Sequence, residues 1–376
     1  MPRFICIFFQ QSAEGMFDCK FRSATSLVAT ERTDDLAHPP PCLISTEHGL
    51  YCPAGDFYVD PWRPVPRALI THAHSDHARS GHGHYLSTRL TDAMMHHRLG
   101  NISSEVLAYG ESRQIGDARV SFHPAGHVPG SAQIRIEVGG EVWVVSGDYK
   151  LERDGLSTPF TPVRCHCFIT ECTFGLPAFH WPDATSIRHD INGWWAENAA
   201  AGRISVLGAY SLGKAQRLLA ALDPSIGPIL CHGAVEATNA VLRREGLTLP
   251  ATLPVTPDTT PQAMAGGLVL APPAALGTQW MARFGATATG FASGWMAVRG
   301  IRRRRAADRG FVVSDHADWA GLNTAIKETG AERILVTHGY TTVFRRWLDD
   351  QGYDAQIVQT EFTGEPDDAP DQPATP

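Results

Sequence analysis

What the chain lacks narrows it first. Its eight cysteines, at 6, 19, 42, 52, 165, 167, 172 and 231, form no Cys-x-x-Cys pair, the spacing of thiol-bound metal and redox sites. A chain of 376 residues has core enough to do without a disulfide frame, so these read as reduced thiols of a cytoplasmic protein. No apolar run approaches the ~20 residues that span a membrane. The opening MPRFICIFFQQ is too short for a secretory leader and has no small-residue cleavage site. Basic residues are not in excess. The formal net charge of −7 argues against non-specific coating of nucleic acid but leaves room for a local basic groove. No internal repeat is visible, and 43% hydrophobic with 19% charged residues is the balance of an ordinary globular protein.

The two ends read as irregular. Residues 1–41 finish in HPPPC, whose prolines stop regular structure. Residues 363–376, with GEPDDAPDQPATP, have the composition of a disordered acidic tail. Between them a pattern recurs. Short β-branched or aromatic runs, read as buried strands, lead into groups able to bind metal or move a proton. FYV (57–59) ends in Asp60, ALI (68–70) leads to His72 and WVV (143–145) to Asp148. FIT (168–170) ends in Glu171, FVV (311–313) leads to Asp315 and His316, and ILV (334–336) to His338. Strand carboxyl ends are where α/β folds place their sites.

Residues 174–305 carry none of these groups. RISVLGAYSLGKAQRLLAAL and GPILCHGAVEATNAVLRREG each run strand, glycine loop, amphipathic helix, the alternation of a small doubly wound α/β domain. The segment therefore reads as an insertion into a first domain made of residues 42–173 and 306–362. GAYSLGKA (208–215) nearly spells a nucleotide-binding P-loop, but Ala215 stands where a magnesium-binding hydroxyl is required, which excludes an ATPase. Its helix start still attracts anions, so Lys214 is a candidate substrate-phosphate contact, with a packing turn as the alternative. The run Arg302, Arg303, Arg304 and Arg305 is a second candidate, against a solvated helix face.

The densest signal is LITHAHSDHARSGHGH, Leu69 to His84, with five histidines. In a loop leaving a strand, His72 and His74 share one side while Asp76 and His77 turn to the other. That suits two adjacent metal ions. Imidazole and carboxylate ligate Zn²⁺, Mn²⁺ or Fe²⁺, and a cluster without cysteine points to a site open to water. The alternative is a histidine-rich surface loop. His82, His84, His96 and His97 fit no spacing and read as surface or ordinary helix positions.

The His-x-His-x-Asp-His cluster after a short strand resembles the signature of the metallo-β-lactamase fold. Asp60 in FYVDP resembles that family's first-motif aspartate, which supports the histidine loop. His127 in PAGHVPGSAQ resembles its third-motif histidine, and Asp148 in SGDYK the aspartate that bridges both ions. Glu171 in TECTFG, His316 in VSDHADW and His338 in LVTHGY resemble the three extra motifs of the β-CASP nuclease branch. That branch is marked by an α/β domain inserted between the acidic motif and the late histidines. The resemblance implies an αββα sandwich with an inserted doubly wound β-CASP domain. It implies one metal on His72, His74, His127 and Asp148, and a second on Asp76, His77, Asp148 and His338. The ions would be two divalent cations, zinc favoured and manganese the alternative. A histidine at 338 matches the RNA-processing members. Longer phrases, among them GLYCPAGDFYVDPWRPVPRALITHAHSDHA and GTQWMARFGATATGFASGWM, resemble instead the bacterial DNA ligase-associated exonucleases. That likeness runs from about Gly49 to Thr363, leaving residues 1–41 outside it and Met16 as a candidate start.

The resemblance implies a DNA exonuclease of repair, with a functional link to an ATP-dependent DNA ligase and a helicase and none to membranes. Two ions about 3.5–4 Å apart would activate a water for in-line attack at phosphorus. His316, oriented by Glu171, would protonate the departing oxygen, because a neighbouring carboxylate raises an imidazole's pKa. An RNA-processing nuclease of the same branch fits these residues equally well, since contacts to a 2′-OH are not visible in a sequence. A small-ester hydrolase has no use for a second domain, and a non-catalytic scaffold would have lost site residues.

Overall fold

The first sheet follows chain order: β1 (Ile44–Thr46), β2 (Gly49–Cys52), β3 (Phe57–Val59), β4 (Arg67–Leu69), β5 (His84–Ser87) and β6 (Ser104–Val106). Pairing is antiparallel from β1 to β3 and parallel from β3 to β6. Helix α1 (Arg89–Leu99) joins β5 to β6. The computed structural model describes residues 41–300 and 307–361, all within one of the chain's two compact units, Pro39–Pro376. The extension expected over residues 1–41 and the tail expected over 363–376 lie outside the described residues, except for Pro41.

A second sheet begins as an antiparallel meander, β7 (Ser112–Ile115), β8 (Ala118–Pro124), β9 (Ala132–Val138) and β10 (Glu141–Val145), and β11 (Cys167–Cys172) joins β10 in parallel. The chain then departs into α2 (Ala184–Ala200), β12 (Ile204–Gly208), α3 (Lys214–Ala221), β13 (Ile229–Cys231), α4 (Gly233–Arg244), β14 (Leu253–Pro254), β15 (Leu268–Ala271), β16 (Thr287–Ala292) and β17 (Arg309–Phe311). These six strands form an all-parallel third sheet in the order β14-β13-β15-β12-β16-β17. Afterwards α5 (Trp319–Thr329), β18 (Arg333–Gly339), α6 (Thr341–Asp350) and β19 (Asp354–Ile357) return to the second sheet, β18 beside β11 and β19 at its edge.

The apolar residues sort the layers. Phe57, Val59 and Leu69 from the first sheet meet Phe122, Ile134, Ile136, Trp143 and Val145 from the second. The opposite face of β10, Val142 and Val144, packs with Phe168 and Val336 under Leu322 and Ile326 of α5 and Phe344 and Leu348 of α6. The far face of the first sheet, Ala68 and Tyr85, lies under Met94 and Met95 of α1. Strands buried on both sides read as continuous apolar runs, which is why WVV and FIT were legible. The result is an αββα sandwich with an inserted doubly wound α/β domain. Val241 and Leu242 of α4 join the α1 cluster, so the insertion shares a core with the first domain.

Two expectations need correction. The FVV run was placed with the returning segment beginning at 306. Instead Arg309–Phe311 pairs with β16 and completes the edge of the inserted sheet, so that sheet extends past residue 305. β-propensity marked the strand but could not say which sheet would accept it. His82 was expected at the surface, yet it is buried and its Nδ1 accepts a hydrogen bond from the Val65 amide at 3.3 Å.

The six described cysteines, Cys42, Cys52, Cys165, Cys167, Cys172 and Cys231, are buried and unbridged. Burial pushes the thiols of Cys42, Cys165 and Cys231 up to about 12. Only the thiolate is nucleophilic. Iodoacetamide at pH 8 is therefore expected to leave all six unmodified in the folded protein and to alkylate them in guanidinium. Peptide mass spectrometry checks this, and rapid native labelling of any one would contradict its burial.

Candidate metal centre

Five strand ends deliver the cluster, those of β3, β4, β8, β10 and β18. β3 ends at Asp60, whose φ of +42° lies in the left-handed region that a side chain usually avoids. The conformation is held by three hydrogen bonds: Asp60 accepts from the Thr71 amide (2.8 Å), the Thr71 hydroxyl (2.6 Å) and His77 Nδ1 (2.8 Å). The loop leaving β4 is thereby folded back on Asp60. Gly147, with φ +56°, precedes Asp148, and a Cβ there would meet Thr71 Oγ1 at 2.7 Å, so only glycine lets Asp148 approach this loop. His338 also has a positive φ, +54°. Strained backbone of this kind persists where the surroundings over-determine it, and it clusters at functional sites.

The imidazoles of His72, His74, His77 and His127 are each aimed by a bond to the outer nitrogen. His74 Nε2 donates to the Leu212 carbonyl (3.2 Å) and His127 Nδ1 to the Asp315 carbonyl (2.9 Å). Carbonyls only accept, so the ring hydrogens sit on those nitrogens and the other nitrogens carry lone pairs. His72 Nδ1 lies 3.1 Å from the Thr71 hydroxyl, and that hydroxyl in turn donates to Asp60. The inward atoms converge. His74 Nδ1 and His127 Nε2 are 3.1 Å apart. Asp148 Oδ2 is 3.5 Å from both His72 Nε2 and His77 Nε2 and 3.8 Å from His127 Nε2. Asp148 Oδ1 is 3.8 Å from His338 Nδ1, and Asp76 Oδ2 is 3.7 Å from His77 Nε2.

These separations fit cation ligands. The carboxylate distances of 3.5–3.8 Å are long for hydrogen bonds, and all the separations lie near the roughly 3.3 Å edge of a tetrahedron with bonds of 2.0–2.1 Å. His72 Nε2, Asp76 Oδ1 and Asp148 Oδ1 are buried with no hydrogen-bond partner, an arrangement that needs compensation. Three groups have donor atoms close enough to hold an ion: His72, His74, His127 with Asp148; Asp76, His77, His338; and Asp148 with Glu171 and His316. The Asp148 carboxylate lies between the first two. Burial above all pushes His72, His74 and His127 below the usual imidazole range, which keeps them in the neutral, ligating form. Burial acts the same way on His77, but Asp148 and Asp76 outweigh it and raise it well above. The field at His77 Nε2 thus favours positive charge.

Beside the cluster stands a dyad. His316 Nδ1 lies 2.9 and 3.0 Å from the two Glu171 oxygens. Glu171 also accepts from the Tyr149 amide (2.9 Å) and the Thr173 hydroxyl. Burial would lower His316, but Glu171 and Asp148 carry it up to about 10. The His316 ring lies tilted against that of His127, centroids 4.6 Å apart.

Other expected residues stand elsewhere. Lys214 is not at a surface: it is buried, its Nζ 3.3 Å from Asp315 Oδ1 and over the Tyr210 ring at 4.5 Å. Its charge is engaged inside the protein, which removes it as an exposed phosphate contact. Arg302, Arg303, Arg304 and Arg305 lie outside the described residues. Asp318 caps α5 through the Gly321 amide (2.8 Å). Thr71 and Arg217 were missed. Thr71 sits inside the histidine motif and could have been taken from it; Arg217 has no local signal. Asp315, noted after the FVV run without a role, aims His127 through its backbone carbonyl. The insertion presses close here. A Cβ on Gly213 (φ +88°) would meet Val128 Cγ1 at 2.2 Å.

The fold is that of the metallo-β-lactamase class with a β-CASP insertion. The chain is 32% identical over 321 residues, 85% of its length, to a probable DNA ligase of Opitutus terrae, covering 31% of that protein. It is 30% identical to the endoribonuclease ysh-1 of Neurospora crassa, over 41% of this chain and 22% of the relative. An RNase J-like protein of Methanocaldococcus jannaschii is 28% identical over 39% of this chain and 36% of its own length. The chain thus spans about a third or less of these relatives. A solved structure from Enterococcus faecalis, of a protein of unknown function, superposes with a TM-score of 0.53 at 12% identity, covering 79% of this chain and 80% of that one. No family model matches.

Asp60→Ala would strand the Thr71 amide and hydroxyl and release His77. Removing one partner of a buried network costs about 3–5 kcal/mol, and loss of an outer-shell carboxylate weakens metal affinity about 10–100-fold. A lower melting midpoint together with weaker metal retention against a chelator is expected. Unchanged retention would show that Asp60 does not set the geometry of His77.

Proposed function

We propose that the chain is a metal-dependent phosphodiesterase acting on nucleic acid, in particular a DNA exonuclease of repair. The observation that carries this is the Asp148 carboxylate between two buried ligand groups, with a His316–Glu171 dyad beside it. One ion would be held by His72, His74, His127 and Asp148, the other by Asp76, His77, Asp148 and His338. Zinc suits the imidazole-rich set, and manganese the carboxylates. Divalent cations bound there supply Lewis-acid charge at a phosphodiester and acidify water. Asp60 holds Thr71 and His77 in register. Glu171 engages His316 Nδ1, so an imidazolium there offers its Nε2 proton to the departing oxygen.

A DNA substrate is supported by the likeness of 85% of this chain to part of a protein named as a probable DNA ligase. The same likeness supports a working link to an ATP-dependent ligase and its helicase. The second reading, an RNA-processing nuclease, is supported by the endoribonuclease and RNase J-like relatives. No helix of the described residues is long and apolar enough to cross a membrane. Buried, unbridged cysteines support residence in a reducing compartment such as the cytoplasm.

Single-stranded DNA and RNA labelled separately at each end, with Mn²⁺ or Zn²⁺, test the reading. Stepwise loss of DNA from one end is expected, and His77→Ala and Asp148→Asn should abolish it. Preferred cleavage of RNA would favour the second reading, and no cleavage of either polymer under any metal would overturn both.

His316→Ala should lower kcat about 10²–10⁴-fold. The pH dependence follows from sign. Activity needs protonated His316 and falls as pH rises through its pKa. Glu171 is the chief group raising that pKa, so Glu171→Gln should move the alkaline limb to lower pH. A pH–rate profile with an unmoved alkaline limb would remove His316 as the acid.

A further inference from the structure

One buried cation reaches the metal centre from the inserted domain. Arg217, on α3 four residues after Gly213, makes its hydrogen bonds to three segments outside the insertion. Its Nε and Nη2 donate to Asp154 Oδ2 at 3.0 and 2.7 Å. Its Nη1 donates to the Ser314 carbonyl at 2.7 Å, and Nη2 also to the His127 carbonyl at 3.0 Å. The guanidinium is about nine-tenths buried and Asp154 more so. Asp154 is itself fixed, accepting from the Leu156 and Ser157 amides at 2.9 Å each.

The two carbonyls belong to the segments that carry His127 and His316. The His127 side chain is in turn aimed by the Asp315 carbonyl, one residue after Ser314. Arg217 therefore grips both ends of the link that sets one imidazole against the other. We propose that Arg217 is a positioning residue that seats the inserted domain on the metal centre and fixes the His127 ligand and the His316 acid relative to each other. A guanidinium suits this task because its five donors form a rigid planar fork. Lysine carries the same charge but only a point of contact, and it cannot span a carboxylate and two divergent carbonyls at once.

The inference rests on the proposed metal centre, and the test separates the two. Full-length wild type, Arg217→Lys, Arg217→Ala and Asp154→Asn are loaded with Co²⁺. Their visible spectra, ion stoichiometry and retention against a chelator are recorded beside thermal melts. The wild type should take up two ions. Folded Arg217→Lys should hold its weaker ion about 10–100-fold less tightly, the range for an outer-shell change, with an altered cobalt spectrum. Nuclease kcat should fall with KM little changed. Asp154→Asn should show the same spectral change to a smaller degree, and should add little when combined with Arg217→Lys. If Arg217→Ala fails to fold, the Lys and Asn variants decide. Wild type with two ions and folded variants with unchanged spectra and retention would overturn the role of Arg217 alone. Wild type with no ion would overturn the metal centre, and this inference with it.

Discussion

Asp148 is the charge on which the site depends. It lies buried between imidazoles drawn from both ligand groups, 3.5 Å from His72 and His77. An isolated carboxylate in such a place is costly unless opposite charge or hydrogen bonds compensate it. The fold arranges that compensation at a distance. Asp60, Thr71, the Leu212 carbonyl and the Asp315 carbonyl take up the outer nitrogens, so the inner nitrogens of His72, His77 and His127 face Asp148. Positions of strands β3, β4, β10, β11 and β18 can be read as consequences of that convergence.

The insertion takes part in this arrangement. The carbonyl that aims His74 belongs to Leu212, in the loop that looked like a degraded P-loop. That loop sits against the histidine cluster, where its lysine is paired to Asp315. The bonds that orient the ligands thus come from both domains, and the orientation of His74 depends on how the insertion is seated.

Much of the site was legible because each component follows a short apolar run. A buried strand announces itself through β-branched and aromatic residues, and a polar group just after such a run is unusual enough to notice. Asp60, His72, Asp148, Glu171 and His338 were found this way. What stayed hidden depends on contacts far apart in sequence. His127 and Asp315 are 188 positions apart, and Arg217 and Asp154 are 63. Lys214 looked available because its helix start is a generic anion site, while its burial follows from where that helix lands. The FVV run announced a strand of which only Phe311 is part, and it could not announce the sheet, since strand propensity carries no partner information.

The contact between Gly213 and Val128 has a mechanical meaning. A missing side chain on one surface receives a whole isopropyl group from the other, with less clearance than a single added carbon needs. Sliding one domain along the other would drive Val128 into the Gly213 backbone. Separation of the two surfaces is opposed as well, by the shared core around Val241 and Leu242 and by the Arg217 bonds. The close fit of Val128 against Gly213 therefore keys the inserted domain to a single register along this contact.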